Sequence, residues 1–127
     1  MECLVQIFWI GVFGALGAIL RYFISIHFND QGKIPWGTSF VNVLGSFLIG
    51  VLFFYLMNSK SFFGSPVIHR ALIVGLLGGI TTFSAFSFES LSFIQSGQLI
   101  SAMTHISINL VGGIFFCGLG LKLASLM

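Results

Sequence analysis

Four long, unbroken apolar runs decide which solvent this chain can fold in. They cover about Leu4 to Phe23, Thr38 to Met57, Arg70 to Phe93 and Leu99 to Leu123. Each is close to the roughly 20 residues that a helix needs to cross the hydrocarbon core of a bilayer. Of the 127 residues, 57% are hydrophobic and 6% charged, where a soluble domain carries about 25% charged residues. Such a surface cannot be wetted. The runs are continuous rather than short and alternating, which favours helices over a barrel. The expectation is an all-α integral membrane protein with four transmembrane helices, residues 1–127 forming a single membrane domain.

Between the runs lie "SIHFNDQGKIPWG", "NSKSFFGSPVIH" and "QSGQ", which hold the turn formers and most of the charges. The first run lacks the basic leader and small-residue cleavage site of a signal peptide, so it reads as a retained span. With four spans, Lys60, Arg70 and Lys122 fall on one side of the membrane, and Arg21 and Lys33, with Asp30 between them, on the other. Orientation follows the Lys/Arg excess of short loops, and three against two is almost no excess. A weak but sufficient bias and insertion in both orientations both fit. Cys3 and Cys117 are far apart and read as small apolar packing residues. His27, His69 and His105 lack the mutual spacing of a haem or zinc site.

Polar residues inside the spans carry more information. The glycines of "GVFGALGA", "NVLGSFLIG" and "NLVGGIFFCGLG" let helix backbones approach each other. Asn42 is different, because an amide in hydrocarbon must find partners. It shares a helix face with Gly45, Ser46 and Ile49. It is either interhelical glue or a donor along a pathway. Asn109 poses the same choice, with His105 one turn before it and Gly113 one turn after. Arg21 ends the first run and can snorkel to the interface or attract anions at a pore mouth. Glu89 lies toward the end of the third run, and intramembrane acids are rare and commonly functional.

The segment "GLLGGITTFSAFSFES", residues 75–90, interrupts the third run. Gly78 and Gly79 weaken a helix near the bilayer middle, and Ile80, Thr81 and Thr82 are stiff β-branched residues. A backbone break there leaves carbonyls that suit a cation and amides that suit an anion. Phe83 and Phe86 are three apart and share a face, with Ser84 and Ser87 beside them. The edges of phenylalanine rings carry partial positive charge and can touch an anion, although most of the sixteen phenylalanines need only lipid or core packing.

In "GALGAILRY", "WGTSFVNVLGSFLIG" and "GLLGGITTFSAFSFE", taken in this order and spacing, the chain resembles the Fluc (CrcB) family of fluoride-specific channels over nearly its whole length. The resemblance implies a dual-topology antiparallel homodimer, with the third helix broken mid-membrane between Gly78 and Thr82. It implies a structural sodium ion on the two-fold axis, held by the backbone carbonyls of Gly78 and Thr81. An isologous interface doubles each chain's ligands, and a bound cation favours nearby anions. Two pores are implied, each lined by both copies. Phe83 and Phe86 would be the edge-on rings, Asn42 an amide donor and Arg21 a residue near the mouth. Ser84 would belong to a hydroxyl track and Glu89 would be an acid beside the pore. In the fourth span a tyrosine followed by serines or threonines is common; a gapless placement puts His105, Asn109 and Gly113 there. Ala85 stands where a threonine is common. These departures bear on rate and pH dependence more than on ion identity.

The implied activity is passive export of fluoride across the cell's inner (plasma) membrane, lowering its cytoplasmic level. The implied partners are fluoride, a second copy and the lipid bilayer, with no nucleic acid. No chemistry is required, and no nucleophile–base pair or metal-ligand set points to an enzyme. Two rivals share the composition. A small four-helix proton-coupled multidrug exporter needs a deep carboxylate, for which Glu89 is the only candidate. A non-transporting assembly subunit explains the glycines but leaves Asn42, Arg21 and the Phe–Ser alternation unused.

Overall fold

The structure is a computed structural model that describes residues 2–29, 34–57 and 65–126. Asp30, Lys33 and Lys60, which enter the charge comparison between the two sides, lie outside the described residues. Four membrane-length helical segments are present, at Glu2–Phe28, Trp36–Leu56, Pro66–Gln95 and Leu99–Ser125. Each extends two to five residues beyond its apolar run on at least one side. Helix α1 is Glu2–Phe28 and α2 is Trp36–Met57. The third segment is discontinuous. Its first part, α3, covers 66–80 and its second, α4, covers Phe83–Gln95. The fourth, α5, is Leu99–Ser125.

Local chemistry sets the ends. Pro66 begins α3 in its first turn, after Ser65 in extended conformation, where the missing N–H costs nothing. Helix α4 ends in a Schellman motif: the Gln98 N–H donates to the Phe93 carbonyl at 2.9 Å and the Gly97 N–H to that of Ile94 at 3.1 Å. Gly97 has φ +74°, a left-handed conformation that side chains resist. Wider π-type turns occupy Ala71–Leu77 in α3 and Ile108–Gly112 in α5. Turns of this kind recur at functional sites.

Two close pairings organise the bundle, α1 with α3 and α2 with α5. A Cβ on Gly17 would overlap the Leu76 carbonyl oxygen, and one on Gly79 would come within 2.6 Å of the Gly14 oxygen. In the second pairing Gly50 lies against the Cys117 carbonyl and Gly120 against that of Phe47. Hydrocarbon offers no hydrophobic drive for helix association, so such backbone contact and buried hydrogen bonds must supply it. Of the other sequence candidates, His69 is buried against the Leu52 carbonyl at 2.9 Å and His27 bonds back to Phe23 at 2.8 Å. Cys3 is exposed and Cys117 half-buried, both as free thiols.

Candidate functional site

The break in the third segment is narrower than Gly78 to Thr82. Gly78–Ile80 remain helical, and Thr81 and Thr82 alone are extended, with φ/ψ of −76°/150° and −148°/120°. Helix geometry tolerates the glycines once α1 packs against them; the two β-branched residues then leave it. Thr82 starts the next helix, its Oγ1 accepting the Ala85 N–H at 3.2 Å.

Asn42 mends the break. Its Oδ1 accepts the Thr82 N–H at 2.8 Å, and its Nδ2 donates to the Thr82 carbonyl at 3.1 Å. The side-chain amide thus pairs with one residue's backbone as a neighbouring strand would. Its second N–H donates to Asn109 Oδ1 at 2.7 Å, so both amide hydrogens meet protein acceptors. Two carbonyls lose their helical donors as a result. The Thr82 N–H, which a continuous helix would direct to Gly78, goes to Asn42, and the Ala85 N–H, which would go to Thr81, goes to Thr82 Oγ1.

Arg21 reaches the same place from α1. Its Nε donates to the Gly79 carbonyl at 3.1 Å from a half-buried position. A guanidinium at the C-terminal end of α3 also meets the negative end of that helix dipole. The contact depends on the glycine packing of α1 on α3, which brings Arg21 within reach.

A cavity of about 310 Å³ opens beside the break and is lined by Asn42, Gly78, Thr81, Phe83, Phe86 and Asn109, among others. The two rings lie 5.5 Å apart at 56° to each other. Phe86 is buried, while Phe83 is 75% exposed. Ser84 is exposed, with Oγ 3.2 Å from Thr82 Oγ1. The cavity therefore unites six sequence candidates. Arg21 and Ser84 flank the break beside it, and Glu89 and His105 form a second cluster one helix turn further along α4.

That second cluster is wired to the first. Asn109 Nδ2 donates to the Ser39 hydroxyl at 3.1 Å and to the His105 carbonyl at 2.9 Å. Ser39 Oγ lies 3.2 Å from His105 Nδ1. His105 is fully buried, and its Nε2 lies 3.3 Å from Glu89 Oε2; among the described residues neither atom has a hydrogen-bond partner. Glu89 Oε1 accepts from Thr38 Oγ1 at 2.8 Å, which accepts from Asn29 Nδ2 at 3.2 Å. Asn29 is anchored in turn by the Gly37 N–H on its Oδ1 at 2.8 Å. Phe86 and Phe93 rings lie 5.5 and 6.2 Å from the imidazole.

Asn29, Thr38 and Ser39 belong to this network although sequence reading did not single them out. For Ser39 and Thr38 a signal existed: they sit three and four residues before Asn42, on its helix face. Asn29 has none, because a chain reversal brings it to Thr38. Among the described residues, no group of three or more His, Cys, Asp and Glu side chains could hold a metal.

The family model for CrcB-like protein, Camphor Resistance (CrcB), matches residues 8–121. A protein of Rhizobium meliloti (strain 1021) named fluoride-specific ion channel FluC is 42% identical over 94% of this chain and 97% of its own length. Proteins of the same name from Shewanella woodyi and Renibacterium salmoninarum are 42% and 37% identical, over 93% and 94% of this chain and 94% and 98% of their own lengths.

Proposed function

The chain belongs to the CrcB family, and from that premise we propose that it is a fluoride-specific channel rather than an enzyme. It lets fluoride pass down its gradient and so lowers the internal concentration. The observation that carries this reading is the cavity at the helix break, where two phenylalanine rings, two asparagine amides and freed backbone groups converge. Fluoride is small and tightly hydrated, so a pathway must replace water with many contacts and still release the ion. Ring edges and amide N–H groups do this without a fixed positive charge in the cavity. With both Asn42 hydrogens engaged, fluoride binds there by exchange, taking the N–H that now points to Asn109 while the Thr82 pairing keeps the break closed.

Four membrane-length helices make this a multi-pass membrane protein, and we place it in the inner (plasma) membrane. The functional unit is an antiparallel homodimer. Support comes from the near balance of Lys and Arg between the two sides and from Phe83, a cavity-lining ring that is 75% exposed in one chain. The Gly78 and Thr81 carbonyls, each deprived of its helical donor, suit a monovalent hard cation such as sodium. Contributed by both copies, they would hold it and supply positive charge beside the pathway.

The test is efflux from liposomes containing the purified protein, with potassium and valinomycin for charge balance. Fluoride should leave rapidly while chloride is retained. No fluoride loss from intact protein would favour the assembly-subunit reading, and equal loss of both ions would remove the selectivity.

A further inference from the structure

Helix α2 borders a second cavity, on nearly the opposite side from Asn42, Gly45 and Ile49. It lies between the end of α1, α2 and α5 and holds about 620 Å³. Phe28, Trp36, Phe40, Leu44, Phe47 and Phe116 form most of its wall, and Ser39 is the one polar residue in it. Ser39 offers nothing to a ligand there. It is 2% exposed, and its Oγ meets Asn109 Nδ2 and lies beside His105 Nδ1. A polar guest would find its own groups unpaired. The rim, by contrast, is open: Trp36, Phe40, Leu44 and Phe116 are all exposed. It continues into the exposed apolar surface of α2 and α5 at Leu48 and Phe115.

The dimensions of the cavity match one leaflet. Trp36 is the first residue of α2 and Phe28 the last of α1, and aromatic residues at span ends mark the headgroup level. Phe47 lies eleven residues beyond Trp36, about 16 Å along the helix. Half of the hydrocarbon core is about 15 Å. The cavity therefore runs from the headgroups to the midplane. A spanning helix would cross both leaflets and overrun it, whereas a lipid chain has that length. The volume falls within the roughly 300–1,000 Å³ of pockets that retain ligands.

We propose that this cavity is a lipid site: one acyl chain of a phospholipid from the adjoining leaflet lies along α2 from Trp36 to Phe47, against Phe116. The lipid-facing surface of the spans supplies it directly. The second copy proposed above meets the chain at Phe83 and the break, on the other side of α2, so lipid and copy do not compete. The effect is insulation. At Ser39 the polar cluster is one side chain away from the bilayer, and the acyl chain covers that point. Membrane insertion is the only premise, whichever ion the protein passes.

The experiment weighs the intact protein by native mass spectrometry after extraction in mild detergent and washing until bulk lipid is gone. Wild type should keep about one phospholipid per chain. Leu44→Trp fills the cavity and should keep at least about threefold less. Leu16→Trp, on the exposed face of α1, should match wild type. Absence of phospholipid from wild type, or equal retention in Leu44→Trp, overturns the proposal. If Leu44→Trp does not fold, a photoreactive p-benzoylphenylalanine at Phe40 decides the matter in otherwise unaltered protein. Irradiation in membranes should attach phospholipid in higher yield than the same probe at Leu16. Attachment to a second copy would assign the cavity to a protein interface, and equal yields would reduce it to ordinary lipid contact; either result overturns the proposal.

Discussion

At the residue scale, Asn42 matters through the atoms it pairs with more than through its polarity. Replacing it with aspartate puts an oxygen where Nδ2 faces the Thr82 carbonyl and Asn109 Oδ1. Acceptor then meets acceptor, and a charge is added beside the anion's route. Asn42→Asp should lower fluoride flux by at least about tenfold, equivalent to about 1.4 kcal/mol in the barrier, measured by efflux with monodisperse protein. Normal throughput would confine Asn42 to packing. Phe86 is the ring that touches both Phe83 and His105. Phe86→Ile keeps an apolar side chain and deletes the ring edge, so flux should fall by a comparable factor while the protein still purifies as an intact oligomer. Unchanged flux would remove the ring-edge contact from the mechanism.

At the element scale, the broken third segment is held by its neighbours. Helix α1 closes on α3 through Gly17 and Gly79 and delivers Arg21 to the Gly79 carbonyl, and α2 contributes Asn42 to the extended pair Thr81–Thr82. Glycines of one helix should therefore respond unequally. A Cβ on Gly11 meets nothing within 4 Å, whereas one on Gly17 overlaps backbone. Gly17→Ala should destabilise by about 1–3 kcal/mol, and Gly11→Ala should be neutral or stabilising by up to about 1 kcal/mol. Thermal unfolding in detergent separates the two. Equal effects would mean that α1 and α3 do not meet through their backbones.

At the scale of the whole molecule, the proposed pairing with a second copy in the opposite orientation can be tested directly. Cys3 is exposed near one end of α1, which makes orientation measurable. In intact cells carrying Cys117→Ser protein, a membrane-impermeant thiol reagent should label about half of the Cys3 population, with the rest reached only after permeabilisation. Labelling of all copies from one side would rule out the antiparallel arrangement.

Sequence alone determined the membrane as solvent, the four helices and the position of the helix break to within a few residues, because these depend on local composition: apolar length, glycine pairs and β-branched runs. It also brought out Asn42, Glu89, His105 and Asn109, since each is a polar exception on an apolar background, while Phe83 and Phe86 stood out among sixteen phenylalanines only through the motif around them. Only the tertiary structure decided what those residues do to one another. Residues 38 to 109 lie far apart along the chain, and packing of α2, α4 and α5 brings them into one polar cluster. Which oxygen meets which hydrogen, as where Asn42 pairs with the Thr82 backbone and Asn29 with the Gly37 N–H, is decided across helix interfaces. Sequence spacing carries no record of that, because a side chain's partner on another helix is set by three-dimensional closure and not by its neighbours in the chain.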